Sequence, residues 1–412
     1  MNLNTQFGDR FGVTDLDVLA FRIDQTLDVH IVNAECKAAE SRSAPSSGDR
    51  LLWLAGVGRL IDAQHSVLVT AREASDSARG LATRLGLEIL DPHDLGRREQ
   101  LTGLRPETSY GTHAPALLEL RGAVQRTVSA DPDLQRAYWF VRSDLWLMEP
   151  TAALKRMLGA SRLLATRYSD ALPENERTAI RWLAAQVITG FTLAAVRIAG
   201  TAYREPEDVF ERHFHERLAE GVASYAAMRE LSRTVDKFVV GLLAQAGRDP
   251  AQVAGAIGAF EPKVPQYAEP LTELIQRIAL AAPAAAELPR LADHYLLSSL
   301  DPVVATAAVP AANEAETGRL LRLVASFLEH QAQLPAALLQ PLRRDNHQPR
   351  TVAESSVLGS ATPAAPGGAS VAYPAPADRP AAAPGKERTA PTSVPRRSRD
   401  RRERPTLFSD DR

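Results

Sequence analysis

Two short apolar stretches near the start of the chain carry charges that a buried strand can hold only for a reason. Asp15-Leu16-Asp17-Val18-Leu19-Ala20-Phe21 reads as a strand with acids set into it. A turn at Asp24-Gln25-Thr26 leads to a second strand, Val29 to Lys37, which ends Glu35-Cys36-Lys37. Alternate side chains of a strand share a face, so Glu35 and Lys37 point the same way. Leu16, Val18 and Ala20 occupy one face of the first strand and Asp17 the other. Paired as a hairpin, the strands bring Asp17, Glu35 and Lys37 onto one patch.

Desolvating such charges is costly, and a metal supplies the reason for them. Two carboxylates a few Å apart repel each other unless a hard cation sits between them. Mg²⁺ (or Mn²⁺) favours carboxylate, water and phosphate oxygens. A lysine beside them can stabilise a pentavalent phosphate or position the attacking water. The set suits metal-assisted hydrolysis of a phosphodiester.

Asp17 followed by Glu35-Cys36-Lys37 resembles the PD-(D/E)XK nuclease superfamily, with its restriction-endonuclease-like fold. Asp-Val-Leu-Ala, then a hairpin, then Glu-Cys-Lys, is similar to its Holliday-junction-resolvase and Mrr-like branches. The resemblance covers about residues 8 to 100. It implies a mixed sheet flanked by helices, Asp17 and Glu35 as metal ligands, Lys37 as the catalytic lysine, and DNA as substrate. One departure stands out. The family usually has a helix before the first motif strand, and Met1 to Gly12 shows no helical period.

Further along, a polar loop from Ser41 to Gly48 leads to Asp49 as a plausible N-cap and a helix through Ile61. Ser66 to Thr70 reads as a buried strand. Ser75 or Asp76 opens a second helix ended by Gly86, and Leu87 to Leu90 is another strand. This order predicts an α/β unit with a parallel element. From about His113 to Gln340 the apolar pattern is helical, in nine segments: Leu117–Val128, Leu134–Met148, Ala152–Tyr168, Arg177–Ile198, Glu207–Val222, Met228–Ala246, Pro270–Ala281, Leu288–Leu300 and Ala315–His330. Beyond Asn346, Pro, Ala, Gly, Ser and Thr dominate and no core can offset the ordering entropy. The expectation is therefore an α/β restriction-endonuclease-like domain over 1–112, a mostly α-helical accessory domain over 113–345 and a disordered Pro/Ala-rich tail over 346–412.

The 412 residues have a formal net charge of −2, so any nucleic-acid contact must come from a local patch. One candidate is the arginine cluster of the tail, Arg396, Arg397, Arg399, Arg401, Arg402 and Arg404. The following Pro405-Thr406-Leu407-Phe408 is similar to the Gln-x-x-Leu-Phe peptide that binds bacterial sliding clamps, with Arg404 in place of the glutamine. A single cysteine, Cys36, fits a reducing cytosol and is expected in the core. The apolar uncharged run Trp182 to Val196 is short for a membrane span and reads as a buried helix.

The remaining polar residues carry weaker signals. His213 and His215 lie i and i+2 on a helix, facing different directions, and read as a charged helix surface rather than a metal site. Asp15 is an alternative ligand to Asp17, and Asn33 and Glu40 are possible supporting residues. The leading expectation is a cytoplasmic, bacterial, Mg²⁺-dependent endonuclease acting on DNA, with protein partners or self-association through the helical domain and no membrane. The other is a catalytically inactive nuclease-fold scaffold that binds nucleic acid or protein.

Overall fold

The first elements of the chain are extended. β1 (Leu3–Phe7) and β2 (Phe11–Leu16) pair as an antiparallel ribbon, and after a bend at Asp17 the chain continues as β3 (Val18–Ile23). The bend corrects the expectation of one unbroken strand over Asp15–Phe21, and it shifts the alternation. Leu16 and Leu19, three residues apart, both bury into a cluster with Ile31, Val57 and Ile61. Val18 is only half-buried and Ala20 is exposed.

At the end of β3 one carboxylate closes the turn. Asp24 Oδ1 accepts from the Thr26 N–H at 2.9 Å, the Thr26 hydroxyl at 2.8 Å and the Asp28 N–H at 2.9 Å. β4 (Val29–Lys37) then runs back antiparallel to β3, pairing Val29 with Ile23 and Ala34 with Val18. α1 (Ser47–Leu60), β5 (His65–Thr70), α2 (Asp76–Leu85), β6 (Glu88–Leu90) and α3 (Pro92–Thr102) follow. β5 and β6 are parallel to β4, giving a mixed sheet in the order β3-β4-β5-β6. The strand, helix and parallel-strand order is the one the sequence pattern predicts.

The caps follow local chemistry. Ser46, rather than Asp49, caps α1: its hydroxyl accepts from the Asp49 N–H while the Asp49 carboxylate accepts from the Ser46 N–H. Gly86 ends α2 with φ at +68°, a left-handed position that glycine adopts without strain. α1 and α2 bury Leu51, Leu54, Ala78 and Ala82 against Leu68 and Ile89 of the sheet.

The computed structural model describes residues 3–7, 11–37, 46–102, 115–221, 224–247, 249, 263–300 and 313–343. The longer helices are α4 (Pro115–Val128), α5 (Pro132–Trp139), α6 (Leu145–Leu147), α7 (Pro150–Arg167), α8 (Glu174–Arg204), α9 (Glu207–Ala219) and α10 (Tyr225–Gln245). After them come α11 (Ala268–Leu280), α12 (Ala282–Ala285), α13 (Leu288–Ser298), α14 (Glu314–Ala332) and α15 (Ala336–Arg343). Each of the nine expected helical segments is present. The one over Leu134–Met148 is interrupted by a π-helical stretch at Phe140–Asp144. α8 is long and apolar enough to cross a membrane, yet its most apolar window is 94% buried within the protein. It is the centre of the helical bundle, with Trp182, Leu183 and Phe191 inside.

The sheet meets this bundle at Trp146 and Leu147, which pack on the cluster around Leu19 and Ile31, and at the tip of the β3–β4 hairpin. Leu27 takes a left-handed conformation with φ at +64°, is 1% exposed and belongs to the helical core. That conformation costs roughly 1–2 kcal/mol for a non-glycine residue. Burial of the leucine returns about 1.5–3 kcal/mol, so the strained turn is tolerated. Gly200 of α8 makes the approach possible, because a methyl there would stand 2.5 Å from the Leu27 carbonyl oxygen. Arg204 and Asp28 form an ion pair beside it.

The described residues form one compact unit. The boundary expected at residue 112 and the tail expected from 346 lie outside the described residues. Gly200→Ala should lower stability in urea denaturation by about 1–3 kcal/mol through overpacking. Gly159→Ala, exposed within α7 with open space around it, should be neutral or stabilising by up to about 1 kcal/mol. Equal effects at both glycines would contradict this docking.

Candidate active site

The bend at Asp17 leaves the Cys36 N–H of β4 without a ladder acceptor. Asp17 Oδ2 replaces it, accepting from that N–H at 2.8 Å. The ladder between β3 and β4 ends at the Val18–Ala34 pair, and this hydrogen bond sets Asp17 beside Cys36, the residue between Glu35 and Lys37.

Glu35 is 4% exposed, and a buried carboxylate needs compensation. Its Oε1 lies 2.5 Å from Lys37 Nζ and 3.6 Å from an Arg50 guanidinium nitrogen. Arg50, from the first turn of α1, also lies 6.0 Å from the Trp53 ring centre. The structure thus puts Lys37 on Glu35, puts Asp17 on the neighbouring Cys36 backbone, and adds Arg50. Arg50 was not singled out in the sequence. Its only signal there is a place in the first turn of the helix after the motif strand.

The site opens at the carboxyl ends of β4 and β5, where open α/β sheets bind ligands. A cavity of about 250 Å³ there is lined by Lys37, Ser46, Arg50, Thr70, Arg72 and Glu73, among others. Asp17 and Glu35 carry hard oxygen donors of the kind Mg²⁺ or Mn²⁺ takes, with one oxygen of each engaged, by the Cys36 N–H and by Lys37 and Arg50. Lys37 and Arg50 both pair with the Glu35 carboxylate.

Cys36 is exposed, which corrects its expected place in the core. Strand alternation puts it on the face of β4 opposite Glu35, away from the α1 side. Partial burial, with the Asp17 and Glu35 charges adding to it, holds its thiol above the ordinary range.

The other candidates are placed as follows. Asp15 lies on β2 opposite Asn4. Asn33 is 1% exposed and neither amide atom has a hydrogen-bond partner. His213 lies 3.7 Å from Glu205, while His215 Nε2 is 3.0 Å from the Thr272 hydroxyl. These two histidines therefore have different partners. His215 is half-buried against α11, which corrects the purely surface reading. Glu40, the arginines Arg396, Arg397, Arg399, Arg401, Arg402 and Arg404, and Leu407-Phe408 lie outside the described residues.

A second group of possible ligands was not anticipated. Asp91, His93 and Asp94 bring ligand atoms within 4.8 Å of one another. Their arrangement has a structural account. Asp91 Oδ1 caps α3 by accepting from the His93 and Asp94 N–H groups at 3.0 Å each. Arg79 ion-pairs with both Asp91 and Asp94, so a cation already sits between the carboxylates.

No family model matches this chain, and no match is found among curated proteins or solved structures.

Backbone N–H donors, that of Asp94 foremost, hold the Asp91 carboxyl below its ordinary range, with Arg79 contributing. Its stabilising effect is complete above the ordinary aspartate range and is lost as pH falls through the depressed folded value. Asp91→Ala should therefore lower the urea midpoint at pH 7, and the gap to the unsubstituted protein should close as the pH is taken down towards the acid limit. A gap that stays constant with pH would contradict the capping role.

Proposed function

We propose that the protein is a metal-dependent nuclease that hydrolyses phosphodiester bonds of DNA at the Asp17–Glu35–Lys37 site. The observation that carries this reading is the hydrogen bond from the Cys36 N–H to Asp17 Oδ2, which supports a site where Asp17 lies beside the Glu35–Lys37 ion pair. The order of elements agrees with it: an antiparallel hairpin bearing the acids, then a helix, then a strand parallel to the second motif strand. DNA as substrate comes from the resemblance to PD-(D/E)XK nucleases, and a cytoplasmic setting from the single cysteine.

In this reading Asp17 and Glu35 would hold Mg²⁺ or Mn²⁺, which supplies charge neutralisation at phosphate and an acidified water. Lys37 presents its ammonium group beside the same carboxylate, where it can offset charge that develops on the phosphate oxygens. Arg50 and Arg72 line the adjoining cavity and give it cationic character suited to a phosphodiester backbone. Asp17, by accepting from the Cys36 N–H, ties the end of β3 to β4 and so sets the spacing of the site.

A second reading draws on the pairing of Glu35 with two cations, which satisfies the carboxylate within the protein itself. It is a nuclease-fold scaffold that binds nucleic acid or protein partners without cutting. Incubation of the full chain with plasmid and single-stranded DNA in Mg²⁺ or Mn²⁺ separates the two. The nuclease reading predicts cleavage that falls by about 100-fold or more in Lys37→Ala. DNA binding without cleavage, or cleavage unchanged in that variant, would overturn it.

A further inference from the structure

A second cavity, of about 860 Å³, shares no lining residue with the one beside Lys37. One wall is a run of seven consecutive residues, Leu19 to Gln25. A sheet face presents every second residue, so a consecutive run means that the edge of β3 borders the cavity. β3 is terminal in the strand order, and among the described residues no strand pairs with its outer side.

Ile31 settles which backbone groups face outward. Its N–H donates to the Gln64 side chain at 2.6 Å, and its C=O accepts from the Gln64 N–H at 2.9 Å, both on the β5 side. Phe21, paired opposite Ile31, therefore exchanges no ladder hydrogen bonds with it. The N–H and C=O of Phe21 point away from β4, as do those of Leu19 and Ile23 two residues to either side. This gives a row of donors and acceptors along about 14 Å of strand edge.

The facing wall is helical. Thr189 and Leu193 come from α8, and Ala286 precedes α13. Thr189 is 9% exposed and its hydroxyl has no hydrogen-bond partner. Trp146 closes one end, its ring centre 5.9 Å from that of Phe21. An unpaired strand edge on an open surface invites aggregation, whereas one recessed in a cleft admits only a ligand that fits the cleft. The ligand that satisfies amide and carbonyl groups recurring every second residue is another extended backbone.

We propose that this groove binds an extended segment of a partner polypeptide, which adds as a strand to the free edge of β3. The segment pairs with Leu19, Phe21 and Ile23 through its own backbone and sets an apolar side chain against Phe21 and Trp146. This inference does not rest on the nuclease reading.

The test is to pan a phage-displayed random decapeptide library against the full chain and measure the selected peptides by calorimetry. Each is then resynthesised with single backbone N-methyl groups at successive positions. Strand addition predicts that N-methylation lowers affinity at least tenfold at every second residue and leaves the positions between unchanged. It also predicts an at least tenfold loss in Ala286→Trp, which fills the cavity. Ala20→Trp, at an exposed lining position, serves where that variant fails to fold. No selected peptide, an N-methyl profile without the two-residue period, or unchanged binding in the filled variants would overturn the proposal. So would self-dimerisation or small-molecule binding in the groove with no peptide bound.

Discussion

The buried carboxylate of Glu35 is the constraint around which the N-terminal layer is arranged. An ionised group at 4% exposure is unstable without partners, and the chain supplies them from two elements. Lys37 comes from the same strand face and Arg50 from the first turn of α1. The second contact requires α1 to start where it does, and the Ser46–Asp49 capping box sets that start. The sheet register, the cap and the ion pairs therefore depend on one another. Removing Glu35 would take away the carboxylate that both Lys37 and Arg50 pair with.

A second dependence runs between the sheet and the helices. The hairpin that carries the acids is also the part inserted into the bundle, through Leu27 against Gly200 and Asp28 with Arg204. The turn conformation is strained at Leu27, and burial of that side chain in the bundle offsets the strain. Asp17 and Glu35 sit at the opposite end of that hairpin from Leu27. The helical region thus contacts the turn of the hairpin whose far end carries the acids. The same docking leaves the outer edge of β3 facing α8 across a groove rather than facing solvent on an open surface.

Much of this could be read from local pattern. The alternation in β4, the turn residues Asp24 to Thr26, Gly86 at a helix end and the apolar run in α8 each encode their structure within a few neighbours. The bend at Asp17 could not be read this way. It arises because a side-chain oxygen replaces a backbone acceptor across the hairpin, a contact between residues 19 apart in sequence. The role of Arg50 was hidden for a similar reason, since nothing in its spacing from Glu35 marks a helix residue as the partner of a strand residue. Cys36 was misplaced because an exposed sheet face and a covered one look alike when both are apolar. The docking of Leu27 on Gly200 joins residues 173 positions apart in sequence and left no local trace.

The account stands on the claim that Asp17 and Glu35 converge to hold one divalent cation. Crystals of the protein soaked in Mn²⁺ and measured at the manganese absorption edge test it directly. The account predicts an anomalous peak in contact with carboxylate oxygens of both Asp17 and Glu35, absent from Asp17→Asn crystals. A peak found only at Asp91, His93 and Asp94, or none between Asp17 and Glu35 at saturating Mn²⁺, would contradict it.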